Sequence, residues 1–224
     1  MATTAETTRR STIDEGPALA PVLNWIRGHR QTAASIAMAL VVGAGLFWWN
    51  AVSSRRSEEI AGQQLVQARL AFESRNFPLA SSELSRMVEN YAGTRAAQEG
   101  TILQAQIRLV QGQSQQAIEL LKGLAPRADR AFRAQAYGLL GASYEDAGQP
   151  GEAGQAYEEA AAGAELQFLQ GQLLSDAART WVVAGDTVRA VRLYRRITTE
   201  LSETGPVTEA RVRLGELTKG AVSP

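Results

Sequence analysis

The chain has 224 residues, 45% hydrophobic and 21% charged, and its 23 basic and 23 acidic residues give a formal net charge of zero. That composition fits one or two folded domains, and the balanced charge argues against a dedicated nucleic-acid binder, which carries a basic surplus. The absence of Cys removes disulfides, thiol catalysis and cysteine zinc sites, and a lone His29 leaves no multi-histidine metal centre or Ser-His-Asp triad in the main domain.

Residues 1–24 are rich in Thr, Ala and Pro and have no apolar helical period, so a disordered leader is expected there. Residues 32–49, TAASIAMALVVGAGLFWW, carry no charge. As a helix this run spans roughly 27 Å, close to a hydrocarbon core. Arg27, His29 and Arg30 precede it, Arg55 and Arg56 follow, and Trp48 and Trp49 sit where interfacial aromatics belong. A cleaved signal peptide would have a shorter apolar core and leader, and NAVSSRR offers a poor cleavage site. A buried core helix flanked by arginines is unusual in so small a domain. Residues 25–52 are therefore expected to form one retained transmembrane anchor with its flanks. The flanking arginines are too evenly divided to set its orientation.

Beyond the anchor, no long run of Val, Ile and Thr suggests a strand, and the expectation is all-α. The stretch LLGASYEDAGQPGEAGQAYEEA, residues 139–160, places Gly141, Tyr144, Gly148, Ala153, Tyr157 and Ala160 at intervals suited to two helices folded on each other. A small residue lets the second helix approach, Gly ends the first helix in a left-handed turn, and Ala and Tyr four apart share a face of the second. The pattern returns with Ala105, Gly112, Ala117 and Leu121, and again with Ala178, Trp181, Gly185, Ala190 and Tyr194. A fainter copy lies around Ala80, where Arg75 and Asn76 stand in place of the turn glycine. The equivalent alanines are Ala80, Ala117, Ala153 and Ala190. A lone pair cannot bury its apolar face, so the pairs must stack. Four pairs over residues 53–220 are expected, closed by a capping helix in VTEARVRLGELTKG and followed by a tail at 221–224.

The pattern LGxxYxxxGxxxxAxxxYxxA at residues 140–160 resembles the tetratricopeptide repeat, with a longer period than that family's usual one. With the leader and apolar run included, residues 23–220 are similar to the YfgM-like ancillary subunits of the bacterial Sec translocon, whose repeat domain is shared with the cell-division coordinator CpoB. The resemblance implies an inner-membrane protein with a cytoplasmic N-terminus and a periplasmic repeat domain. It also implies Sec subunits and periplasmic chaperones as partners, with membrane contact through residues 32–49. A coordinator of cell-wall synthesis and a cytoplasm-facing adaptor are the alternatives.

By the same resemblance, the first helix of each pair lines a concave partner groove. From the first pair it would present Leu65, Arg69 and Phe72; from the second, Ile102, Gln106 and Leu109. The third would add Gln135, Ala142 and Glu145, and the fourth Gln172, Arg179 and Val182. Leu65 stands where a carboxylate clamp would want lysine, so capture of a chain terminus is not expected. Arg189, Arg192, Arg195 and Arg196 make the fourth pair basic, either as a docking patch for an acidic partner or anionic lipid or as a solvated face offset by the acidic third pair. No phosphate loop, metal cluster or nucleophile elbow is present. Catalysis, cofactors, nucleic acid and small-molecule substrates are not expected.

Overall fold

The computed structural model describes residues 29–203 and 205–219. The chain divides into two units at Ser53 and Ser54. Nine α-helices and one short 3-10 turn occur among the described residues, and no strand. They are α1 (Arg30–Glu73), α2 (Phe77–Asn90), α3 (Arg95–Val110), α4 (Ser114–Leu124), α5 (Arg130–Asp146), α6 (Pro150–Gly163), α7 (Gln167–Val183), α8 (Thr187–Glu200) and α9 (Val207–Thr218). The 3-10 turn, Ala125–Arg127, joins the second pair to the third and was not anticipated.

In the first unit, the N-terminal part of α1 carries the expected membrane segment. Among the described residues, no helix is long and apolar enough to cross a membrane. The side chains of Thr32, Ala33, Ile36 and Ala37 lie outside the description. The leader and the tail fall outside the described residues.

The second unit is a tetratricopeptide-like solenoid of four helix pairs, capped by α9. Its period is set by four equivalent turns. Arg75, Gly112, Gly148 and Gly185 occupy the left-handed region with φ of 60°, 69°, 71° and 85°. After each, an amide reaches back five residues: Asn76 donates to the Ala71 carbonyl, Gln113 to Arg108 and Gln149 to Tyr144, each at 2.8 Å, and Asp186 to Trp181 at 2.9 Å. This is a Schellman closure, which satisfies the last carbonyls of the first helix. The faint first repeat thus makes the same turn without glycine. Side chains help to open two of the second helices, where Asn76 accepts from the Leu79 amide and Asp186 from the Arg189 amide.

The four equivalent alanines, Ala80, Ala117, Ala153 and Ala190, are all fully buried. Close approach is visible at Gly141, where an added Cβ would lie 2.8 Å from the Tyr157 ring. Stacking between pairs is as tight. A Cβ on Gly154 would lie 2.7 Å from Trp181 of the next pair, and one on Gly100 would lie 2.4 Å from the Met87 methyl. Three apolar clusters bridge neighbouring helices. The first joins Ala68, Leu84 and Met87 to Ala97 and Ile107. The second joins Ile102 and Leu121 to Ala136 and Leu140. The third runs from Tyr157 through Leu174 and Trp181 to Tyr194 and, on α9, Ala210 and Leu214. Burial of α9 against the last pair covers an apolar face that would otherwise meet water, as a terminal cap of a stacked array must.

Candidate functional site

Polar contacts along the starts of the first helices set the spacing of successive pairs. The Glu58 carboxylate accepts from the Arg95 and Ala96 amides, each at 2.9 Å. It therefore satisfies two orphan donors at the positive end of α3. The Asp129 amide donates to Gln98 at 2.8 Å, Arg95 lies 3.6 Å from the Asp129 carboxylate, and Arg130 pairs with Glu165 at 2.9 Å.

The first helices carry the residues predicted to line a partner groove. At its first end, Arg69, Phe72, Ile102, Gln106 and Gln135 line one recess of about 200 Å³ together with Glu73, Glu99 and Leu103. Arg69 pairs with Glu99 across α1 and α3. Five of the twelve predicted residues, drawn from three successive pairs, thus converge. Two of the twelve are buried. Leu65 is 6% exposed, in the first apolar cluster. Ile102 is 1% exposed, so it forms the floor of the recess and offers little surface of its own. Both face inward because the buried stripe of these helices is wider than the small-residue positions alone imply. Leu109 and Ala142 are half-buried, packed against the second and third clusters respectively. Gln172 and Val182 are exposed.

Glu145 and Arg179 form the polar centre at the other end. Arg179 donates to both Glu145 oxygens, at 2.6 and 2.9 Å, and the Tyr157 hydroxyl donates to the same carboxylate at 2.8 Å. Asp176 lies 3.5 Å from Arg179. The hydrogen bonds from Arg179 hold the Glu145 carboxyl below its ordinary range despite partial burial. Burial raises Asp176, which Arg179 offsets only in part. Burial first, and then the Glu145 carboxylate, push the Tyr157 hydroxyl up, so it stays a donor at physiological pH. Glu99, Asp176 and Tyr157 were not singled out for the groove by the sequence. The signal for Glu99 was present in its α3 register, about one turn before the predicted Ile102 and about two before Gln106.

On the fourth pair the four arginines of α8 are exposed and differ in kind. Arg189 stacks 4.3 Å over the Trp181 ring and pairs with Asp186 at 3.2 Å. Arg196 pairs with Glu200 at 2.8 Å. These two partners lie on α8 itself or in the turn before it. In the third pair, Glu158 instead accepts from the Trp181 indole at 2.7 Å. Arg192 and Arg195 make no ion pair among the described residues, and they line a separate recess of about 340 Å³ with Thr187, Val188, Val191 and Leu217. No group of three or more His, Asp or Glu side chains that could hold a metal occurs among the described residues.

The comparisons agree with this geometry. Two solved structures of a kinesin light chain-like protein of Podosopora anserina, with nearly identical TPR-like repeats, share the fold. The first has a TM-score of 0.54 at 20% identity, covering 70% of this chain and 85% of that one. The second, a single-residue variant of the same protein, has a TM-score of 0.53 at 20% identity, covering 70% and 84%. No curated protein matches the chain. Residues 55–175 match the model of the tetratricopeptide repeat-like domain. That match covers the first three pairs and ends within α7, while the turn at Gly185 and the buried Ala190 carry the same architecture through the fourth pair. The chain therefore belongs to the tetratricopeptide repeat-like family.

Proposed function

We propose that the protein is a membrane-held scaffold whose concave groove binds segments of other proteins, without catalysis of its own. The observation that carries this reading is the recess joining Arg69, Phe72, Gln106 and Gln135 across three successive pairs. Arg69 is paired with Glu99 there, and Glu73 adds a second carboxylate to the lining. Side-chain amides and an apolar floor suit an extended peptide, which needs donors and acceptors for its backbone and an apolar pocket for a side chain. The membrane part of the proposal is supported by α1. Met38, Phe47 and Trp49 there are 65%, 77% and 73% exposed, a contiguous apolar surface that water disfavours and a bilayer would cover. Holding the groove near its partner raises effective concentration, so modest affinity suffices.

The resemblance to YfgM-like proteins supports a finer version: a bacterial inner-membrane location, a cytoplasmic N-terminus, periplasmic repeats, and Sec translocon subunits and periplasmic chaperones as partners. The test joins topology with capture. A C-terminal tag on the full chain should be cleaved by protease in intact spheroplasts. A photo-crosslinking residue at Gln135 or Gln172 should then form adducts that contain Sec subunits. Adducts with cell-wall synthases would favour the envelope coordinator. A tag protected until lysis would refute the periplasmic reading, and groove positions that never crosslink to protein would refute the scaffold.

A further inference from the structure

We propose that the recess between α8 and α9 is a second docking site, separate from the concave groove, for a peptide segment that carries an apolar side chain flanked by carboxylates. Val188, Val191, Arg192 and Arg195 recur at the spacing that places them on one face of α8, and Leu217 of α9 supplies the facing wall. The recess of about 340 Å³ is open, and Val188, at its edge, is 71% exposed. A β-branched side chain held in water beside an apolar hollow is a surface that gains by being covered.

The occupant's charge follows from the arginines. Arg189 and Arg196 have partners in Asp186 and Glu200. Arg192 and Arg195, the two that line the recess, have no carboxylate among the described residues and are exposed. The unsatisfied charge is therefore concentrated where the apolar hollow is. A guanidinium presents a planar fork of donors that matches a carboxylate two bonds at a time. Two such forks beside an apolar hollow select an acidic segment with one apolar anchor. Concavity favours a peptide over an anionic bilayer, because a flat headgroup surface can meet the arginines but leaves Val191 and Leu217 uncovered.

The test uses the full chain in zwitterionic nanodiscs. The probes are a panel of fluorescein-labelled octapeptides with Leu, Ile, Phe or Met between pairs of Asp or Glu, read by anisotropy. At least one member should bind, at least tenfold more weakly to R192E/R195E and to V191D, and more weakly as salt rises. Control octapeptides with Lys flanks in place of the acidic pairs should not bind, and Gln135→Ala, in the concave groove, should leave binding unchanged. R192A/R195A should unfold at the same temperature as the parent, because neither arginine holds an ion pair among the described residues, so a loss in that variant reports the site. Silence across the whole panel, or binding that survives R192E/R195E, would overturn the proposal. Arginine-dependent flotation on phosphatidylserine vesicles without peptide binding would overturn it in favour of lipid.

Discussion

Arg75 holds a conformation that its three counterparts assign to glycine, so Arg75→Gly should stabilise the first repeat. Its φ of 60° lies in the left-handed region, which costs an L-residue about 1–2 kcal/mol through the clash of Cβ with the backbone carbonyl. Glycine removes that cost but gives back about 0.5–1 kcal/mol in unfolded-chain entropy. The amide bonds from Arg75 to the Phe72 carbonyl and from Asn76 to the Ala71 carbonyl are backbone contacts and survive the change. So does the Asn76 cap. The net gain should be about 0.5–1 kcal/mol, confined to the α1–α2 pair. A global probe would dilute it, since stacked arrays open locally and Trp181, the indole of the repeat unit, reports the far end. Native-state hydrogen exchange by mass spectrometry over residues 71–87 is the suitable assay, and protection there should rise about twofold to fivefold. Unchanged or faster exchange would refute the reasoning, and would mean that the arginine side chain repays its backbone cost. The reciprocal change, Gly148→Ala, should lose about 0.5–1 kcal/mol by the same physics.

Gly154→Val should destabilise by about 1–3 kcal/mol in urea unfolding, because the Trp181 ring, 2.7 Å from where the new Cβ would lie, is fixed by its bond to Glu158 and by Arg189 above it. Glu58→Ala should cost about 1 kcal/mol in thermal unfolding, as loss of an N-terminal carboxylate cap does, since it frees the Arg95 and Ala96 amides. Titration of the Glu145 cluster has two opposite arms. Glu145, held low in the fold, contributes stability above its ordinary carboxyl range that is lost as pH falls through its folded value. Asp176, raised by burial, weakens the fold at neutral pH and is relieved as pH falls through its own folded value. Urea midpoints between pH 3 and 7 should therefore decline less steeply on acidification in Glu145→Gln and more steeply in Asp176→Asn. The same slopes in both variants would contradict the assigned directions.

Much of the solenoid could be read from local sequence because its rules are local. The alanines at 80, 117, 153 and 190 had to be small wherever two helices meet closely, and all four are fully buried. The turn glycines at 112, 148 and 185 were visible because a left-handed backbone favours glycine. The first repeat looked weaker than it is, since the fold demands a conformation at position 75 and tolerates arginine in it. The groove was legible in part. Helical register brought Arg69, Phe72, Gln106 and Gln135 to one recess, yet it could not separate them from Leu65, which belongs to the core.

By itself, then, the sequence determined the helix pairs, their turns and the number of stacked units, because each depends on residues a few positions apart. Only the tertiary structure decided which charges meet. Glu145 and Arg179 are joined over thirty-four positions, and Glu58 and the Arg95 amide over thirty-seven. Those partners come together through the packing of one pair on the next. The same packing left Arg192 and Arg195 beside an apolar recess without a carboxylate partner among the described residues, because side-chain reach across helices is set by interaxial distance and rotation, which no local pattern encodes.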